Sequence, residues 1–251
     1  MIRIDKSKRI LLVIMGVLTV VAIVVAQRYY GDKNSSVDPR IVPARKLYEK
    51  YNGFAMENQP DSIFHLMDTI ESIYSSVEHY ATSFEVGVLY NNRAAAWLTM
   101  GLFGDFYDTE ARDSLVALAD SAVRESITIY ENWNDLYGEI SDGQEENFIE
   151  ESFLQGLESY PEDYQDQFIQ SRIQEITEAQ QEIDRRISVS YTNLGMVHRY
   201  RENYDSAAIC YQYALELWDR NLTAENNLNI LLGRPLKKRN FIQRMFPPDR
   251  L

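Results

Sequence analysis

Ile169, Ile173, Ile176, Ile183, Ile187, Tyr191 and Leu194 step by threes, fours and one seven, which is the period of a single helix face. A helix that starts after Pro161 and carries this stripe unbroken is about 35 residues long, beyond an ordinary globular helix, and it needs a partner along its whole length. Two partners fit. One is a second copy of the chain, in a homo-oligomer through the helix around Ile169 to Tyr191. The other is the chain's own residues 143–160, where Phe148, Ile149, Phe153, Leu154 and Leu157 also fall at helical spacing. The fold class read from these patterns is all-α.

The end of the stripe runs into a second pattern over residues 188–219, made of Tyr191, Leu194, Gly195, Ala207, Tyr211 and Ala214. Two antiparallel helices approach closely only where facing side chains are small, which gives Gly195 and Ala207 their weight, with Tyr191 and Tyr211 filling the space on either side. These spacings resemble the tetratricopeptide repeat, whose signature runs aromatic, Leu-Gly, aromatic, Ala, aromatic and Pro. Here His198 holds the second aromatic place and Asp219 stands where the Pro would be. The resemblance implies a stack of helical hairpins, about three irregular repeats with insertions, that binds other proteins.

A lone repeat cannot bury its face, so further copies are expected. Asp205-Ser206 is followed by Glu216 and Trp218, and Asp120-Ser121 is followed at the same offsets by Glu131 and Trp133. Asp61-Ser62 keeps only an aromatic, Tyr74. Each Asp-Ser pair reads as a cap, a short oxygen side chain ahead of the exposed amides of a second helix. Tyr90, Arg93, Ala94 and Trp97 occupy the places of Tyr191, Leu194, Gly195 and His198, with Ala122 in the place of Ala207. Twelve positions separate Gly195 from Ala207 but 28 separate Ala94 from Ala122, so sixteen extra residues form an extended turn or lengthen both helices. Leu47, Tyr51 and Phe54 mark a degenerate first unit. Thr223 caps a short terminal helix with Leu228, Leu231 and Leu232 on one face, and Gly233 and Pro235 stop it. The repeat domain is thus expected over residues 43–232, with an acidic insertion at 138–186 and a basic tail at 233–251.

Residues 10–26 form an apolar run without charge, preceded by a basic segment at 1–9 and followed by a linker at 27–42. Seventeen helical residues span roughly 25 Å, enough to cross a thin bilayer, and Arg28, Tyr29 and Tyr30 follow as an interface anchor. Val24-Val25-Ala26 also reads as a signal-peptide cleavage site, which would release a secreted or periplasmic binding protein after Ala26. The run exceeds the usual signal-peptide core, so a retained single-pass transmembrane helix is the expectation. Basic residues ahead of the span put the N-terminus in the cytoplasm and the helical domain on the periplasmic side of a cell envelope. Net charges of +4 on residues 1–29 and +5 on 233–251 leave −22 of the total −13 on residues 30–232, a body that repels nucleic acid.

Catalytic patterns are lacking. The chain has three histidines, His65, His79 and His198, without metal-ligand spacing, and no phosphate loop, nucleophile elbow or paired-cysteine motif. Glu145, Glu146, Glu150 and Glu151 read as a solvated face rather than a metal site. The expectation is a non-enzymatic protein with no cofactor, in which Cys210 is a small buried hydrophobe. The resemblance implies a concave groove lined by the first helices: Val88, Asn91, Asn92, Ala95, Leu98 and Thr99, then Val189, Thr192, Asn193, Met196, Arg199 and Tyr200. Asn92 and Asn193 would each pair with an extended peptide backbone, since an amide both donates and accepts. Val88, Val189, Asn91 and Thr192 stand where the lysines of a carboxylate clamp would be, which argues against chaperone tails as ligands.

Overall fold

The computed structural model describes residues 36–57, 59–104, 108–141, 144, 149 and 152–239. The described residues are all-helical: α1 (Val42–Met56), α2 (Pro60–Ser75), a 3-10 turn (Glu78–Tyr80), α3 (Phe84–Phe103), α4 (Thr109–Tyr137), α5 (Glu162–Tyr200), α6 (Tyr204–Leu217) and α7 (Leu222–Leu231). Neighbours in sequence pack as three hairpins, α1 with α2, α3 with α4 and α5 with α6, and α7 closes against α6 and α5. Among the described residues no helix is long and apolar enough to cross a membrane. The expected span at 10–26 and the segment around it lie outside them.

The long stripe is realised in one piece: α5 has 39 residues. Pro161 caps it, Glu162 and Asp163 favour its positive end, and His198 and Arg199 lie in its last turn. Ile169, Ile176, Ile183 and Ile187 are buried in the chain's own core together with Ile149, Phe153 and Leu157 of the insertion. The stripe is therefore used internally, and these side chains are not presented to a second copy.

The sixteen extra residues of the second unit lengthen both helices. α3 and α4 have 20 and 29 residues and are joined across a short connection at 104–108. They also approach closely at Gly87, where a Cβ would lie 2.6 Å from the Tyr130 ring. In the last hairpin Gly195 does meet Tyr211, with only 2.4 Å for a Cβ. Ala94, Ala122, Leu194 and Cys210 share a second core between the two hairpins, with Tyr90 and Tyr191 against it. Ala207 and Ala214 are buried on α6, and Trp97 stacks on Phe64 at 3.7 Å between ring centres.

The Asp-Ser pairs are not caps. Asp61 and Ser62 lie in the first turn of α2, Asp205 in that of α6, and neither helix has a side-chain cap. Asp120 and Ser121 lie in the middle of α4, where Asp120 pairs with Arg124 at 2.7 Å and Arg201 at 2.6 Å. The side-chain caps are Asp108, accepting from the Glu110 amide, and Asn221, accepting from the Ala224 amide in place of Thr223. Gly233 does end α7: at φ 63° it sets up the paired closing bonds Gly233 N to Ile230 O and Arg234 N to Asn229 O. The same two bonds close α5, from Glu202 N to Arg199 O and Asn203 N to His198 O, but here a glutamate holds the left-handed position at φ 60°.

Candidate functional site

The first helices of the three hairpins converge on a cavity of about 750 Å³. α1 contributes Tyr48 and Tyr51, stacked with ring centres 5.7 Å apart. They fall at i and i+3, which puts both on one face of the helix. α2 supplies Ile70 and Tyr74; α3 supplies Phe84, Val88, Leu89 and Ala95; α5 supplies Val189 and Thr192. The connection from α6 to α7 closes one side with Trp218, Arg220 and Asn221, followed by Thr223 in the first turn of α7, and Arg186 and Arg239 add two more cations to the lining.

Asn91, Asn92 and Asn193 all line this cavity, but their amides are already engaged. Asn92 donates to the Tyr48 hydroxyl at 2.6 Å, tying α3 to α1. Asn193 donates to Asn91 Oδ1 at 2.9 Å, and the Ser190 hydroxyl donates to the same oxygen at 3.1 Å. Ser190 lies 3.1 Å from Ser126 Oγ, which donates to the Gly87 carbonyl at 2.8 Å. A buried polar line thus joins α3, α4 and α5. A second one runs from Asn221, which donates to Ser188 Oγ and Thr192 Oγ1, through Ser188 to the Ala214 carbonyl. Polar groups buried in this way cost stability unless each is paired, so the lines fix the spacing of the cavity walls. The backbone-reading role expected of Asn92 and Asn193 is thereby replaced, for these amide groups, by holding helices together.

Three further expected groove residues lie elsewhere. Met196 packs against the core formed by Leu98, Val116 and Val197, Arg199 donates to Asn227 at 2.8 Å, and Tyr200 donates to Asp113 at 2.7 Å. Met196 lies three residues beyond Asn193, about 4.5 Å further along α5, and so past the end of the cavity lining. Leu98 is buried in that same core, and Thr99 returns a hydrogen bond to the Ala95 carbonyl.

Beside the cavity floor sits a charged cluster that periodicity did not reveal. Arg172, 2% exposed, donates to Glu85 at 2.7 Å, to Glu175 at 3.1 Å and to His79 Nε2 at 3.1 Å, and lies 4.5 Å over the Tyr80 ring. Arg45 of α1 pairs with Glu175 from the other side. Burial alone would raise the Glu85 carboxyl; the Arg172 charge overrides it and holds the group at about 2. Burial, then the same guanidinium, pushes His79 down to about 3, so the imidazole is a neutral acceptor. No family model, no curated protein and no solved structure matches the chain.

Burial and the neighbouring Tyr48 raise the Tyr51 phenol to about 12, and burial raises Tyr48 and Tyr74 as well, so all three hydroxyls stay protonated. Among the described residues no three His, Cys, Asp or Glu side chains are grouped to hold a metal ion. Cys210 is buried and its thiol is pushed up by that burial. Asn226 of α7 does pair with both backbone groups of one residue. Its side chain accepts from the Lys237 amide at 2.8 Å and donates to the Lys237 carbonyl at 3.1 Å. Sequence reasoning passed over it because it lies beyond the repeat pattern.

Proposed function

We propose that this protein is a membrane-tethered, non-catalytic adaptor or assembly factor of the tetratricopeptide-repeat kind, which holds a segment of a partner protein in the cavity on α1, α3 and α5. The observation that carries the reading is that cavity: about 750 Å³, lined by aromatic rings, aliphatic side chains and cations, and borne by the first helix of every hairpin. Clefts of this size with an apolar floor and a few polar groups are the usual form of a recognition site. The glycine-tyrosine contacts in the second and third hairpins support the repeat reading. The span at residues 10–26 supplies the logic of the tether, since fixing a weak binder at a membrane raises its effective concentration near membrane partners.

Asn92 and Ala95 are only half-buried and line the cavity, so Asn92→Lys and Ala95→Lys each place a long cation in it; the first also removes the Asn92–Tyr48 hydrogen bond, and the second leaves it in place. Cross-linking of the tagged full chain in its own membranes is expected to capture partners that both variants lose at least tenfold. Partners retained at full yield in both would end the groove reading.

A further inference from the structure

We infer that the cavity has an occupant within the chain itself: the segment at 240–246, with Phe241, Ile242, Met245 and Phe246 as its apolar contacts. The inference rests on the reading of the cavity as a peptide groove.

The path of the chain carries it. After Gly233 the backbone runs back along α7 instead of leaving it, held by the two hydrogen bonds between Asn226 and Lys237 and by the ion pair of Lys237 with Glu225. Two residues later Arg239 is already part of the cavity lining. The chain therefore stands at the mouth of an apolar cavity just before the sequence Asn240-Phe-Ile-Gln-Arg-Met-Phe. Seven more residues reach up to about 24 Å when extended, and Tyr48, Tyr51 and Val88 line the same cavity as Arg239. Phe241, Ile242, Met245 and Phe246 supply two pairs of bulky apolar residues within this stretch of the sequence.

Charge acts in the same direction at long range. The tail is basic, and residues 30–232 carry −22. Arg186 and Arg220 near the mouth oppose only Arg244, and the entering stretch Asn240–Gln243 is neutral. A ligand attached at the mouth faces the site at an effective concentration in the millimolar range, so modest contacts suffice to keep it seated. A partner segment then competes with this tail, and its chemistry is that of the tail: a short stretch with two pairs of bulky apolar residues and few charges.

The test is photo-cross-linking within the full chain, with p-benzoylphenylalanine in place of Phe241 or Phe246, in detergent and again in anionic phosphatidylserine vesicles. The same group in place of Leu236, which is exposed in the segment after α7, serves as control. Intrachain products with α1, α3 or residues 218–223, at least tenfold above those from position 236, are expected in both media. Products with lipid, with a second copy or with other parts of the chain would overturn the inference, as would no product at all. Partner capture that depends on Asn92 and Ala95 while the tail products are missing would remove the tail alone and leave the groove reading standing.

Discussion

At the residue scale, two glycines show how the same substitution changes sign with its surroundings. A Cβ on Gly195 would stand 2.4 Å from the Tyr211 ring, and Tyr211 is fully buried. Gly195→Ala is therefore expected to cost about 1–3 kcal/mol, read as a lower midpoint in urea unfolding. Gly53, on α1, has no atom within 4 Å of its Cβ position, so Gly53→Ala is expected to stabilise by about 0.5–1 kcal/mol in the same experiment. Titration of the buried cluster gives the pH dependence. Both Glu85 and His79 have folded pKa values below their ordinary ones of 4.5 and 6.5, so their contributions are present at neutral pH. The His79 share is lost as pH falls from about 6.5 towards 3, the Glu85 share from about 4.5 towards 2. His79→Gln keeps an acceptor for Arg172 and does not titrate, so its thermal midpoint is expected to fall less than that of the unaltered chain between pH 6.5 and 4.

At the element scale, α5 and α7 end in the same closing geometry with different residues in the left-handed position. Gly233 adopts it without steric cost, whereas Glu202 places a Cβ against the following carbonyl. Glu202→Gly is expected to raise stability by about 0.5–1 kcal/mol, and Gly233→Glu to lower it by a similar amount, both measurable by thermal unfolding. The elements also mark what the sequence conveyed. α5 was legible because its apolar residues hold one period over many turns, and no break stands between Pro161 and Tyr200. The lengths of α3 and α4 were not, because the sixteen extra residues have the composition of either a helix or a long turn. The caps misled for a local reason: an Asp-Ser pair looks the same before a helix and inside one, and only tertiary neighbours such as Arg201 decide what Asp120 does. Val88, Asn91, Asn92, Ala95, Val189, Thr192 and Asn193 were legible as cavity residues from the repeat register. Tyr48, Tyr74 and Trp218 were not assigned there, since their convergence depends on how α1, α2 and the α6–α7 connection turn back onto α3 and α5.

At the scale of the whole molecule, α5 departs from the behaviour of a simple repeat array. In such an array each unit touches only its neighbours, and unfolding can proceed unit by unit. Here one rod of 39 residues, about 58 Å long, carries Phe168 and Ile176 in the large core with α1 to α3 and, further on, Gly195 against α6. Urea unfolding followed by tryptophan fluorescence and by circular dichroism is expected to give coincident single transitions for the helical body, and a substitution in either half is expected to shift both signals together. Gln180, near the middle of the rod, also closes α4 by donating to the Tyr137 carbonyl at 2.5 Å and the Ile140 carbonyl at 3.0 Å.

The same rod bears on how such a chain changes over generations. Solenoids ordinarily gain and lose length by duplicating or deleting whole units at their joints. Within α5 itself there is no loop to receive a new unit, because the residues from Phe168 to Gly195 lie in one continuous helix, and the connection at 138–161 comes before it. An added hairpin there would split the rod and separate the isoleucines that pack the insertion from the glycine that seats Tyr211. Growth is closed inside α5, and variation in size is left to the connections between helices, at 104–108 and at 138–161.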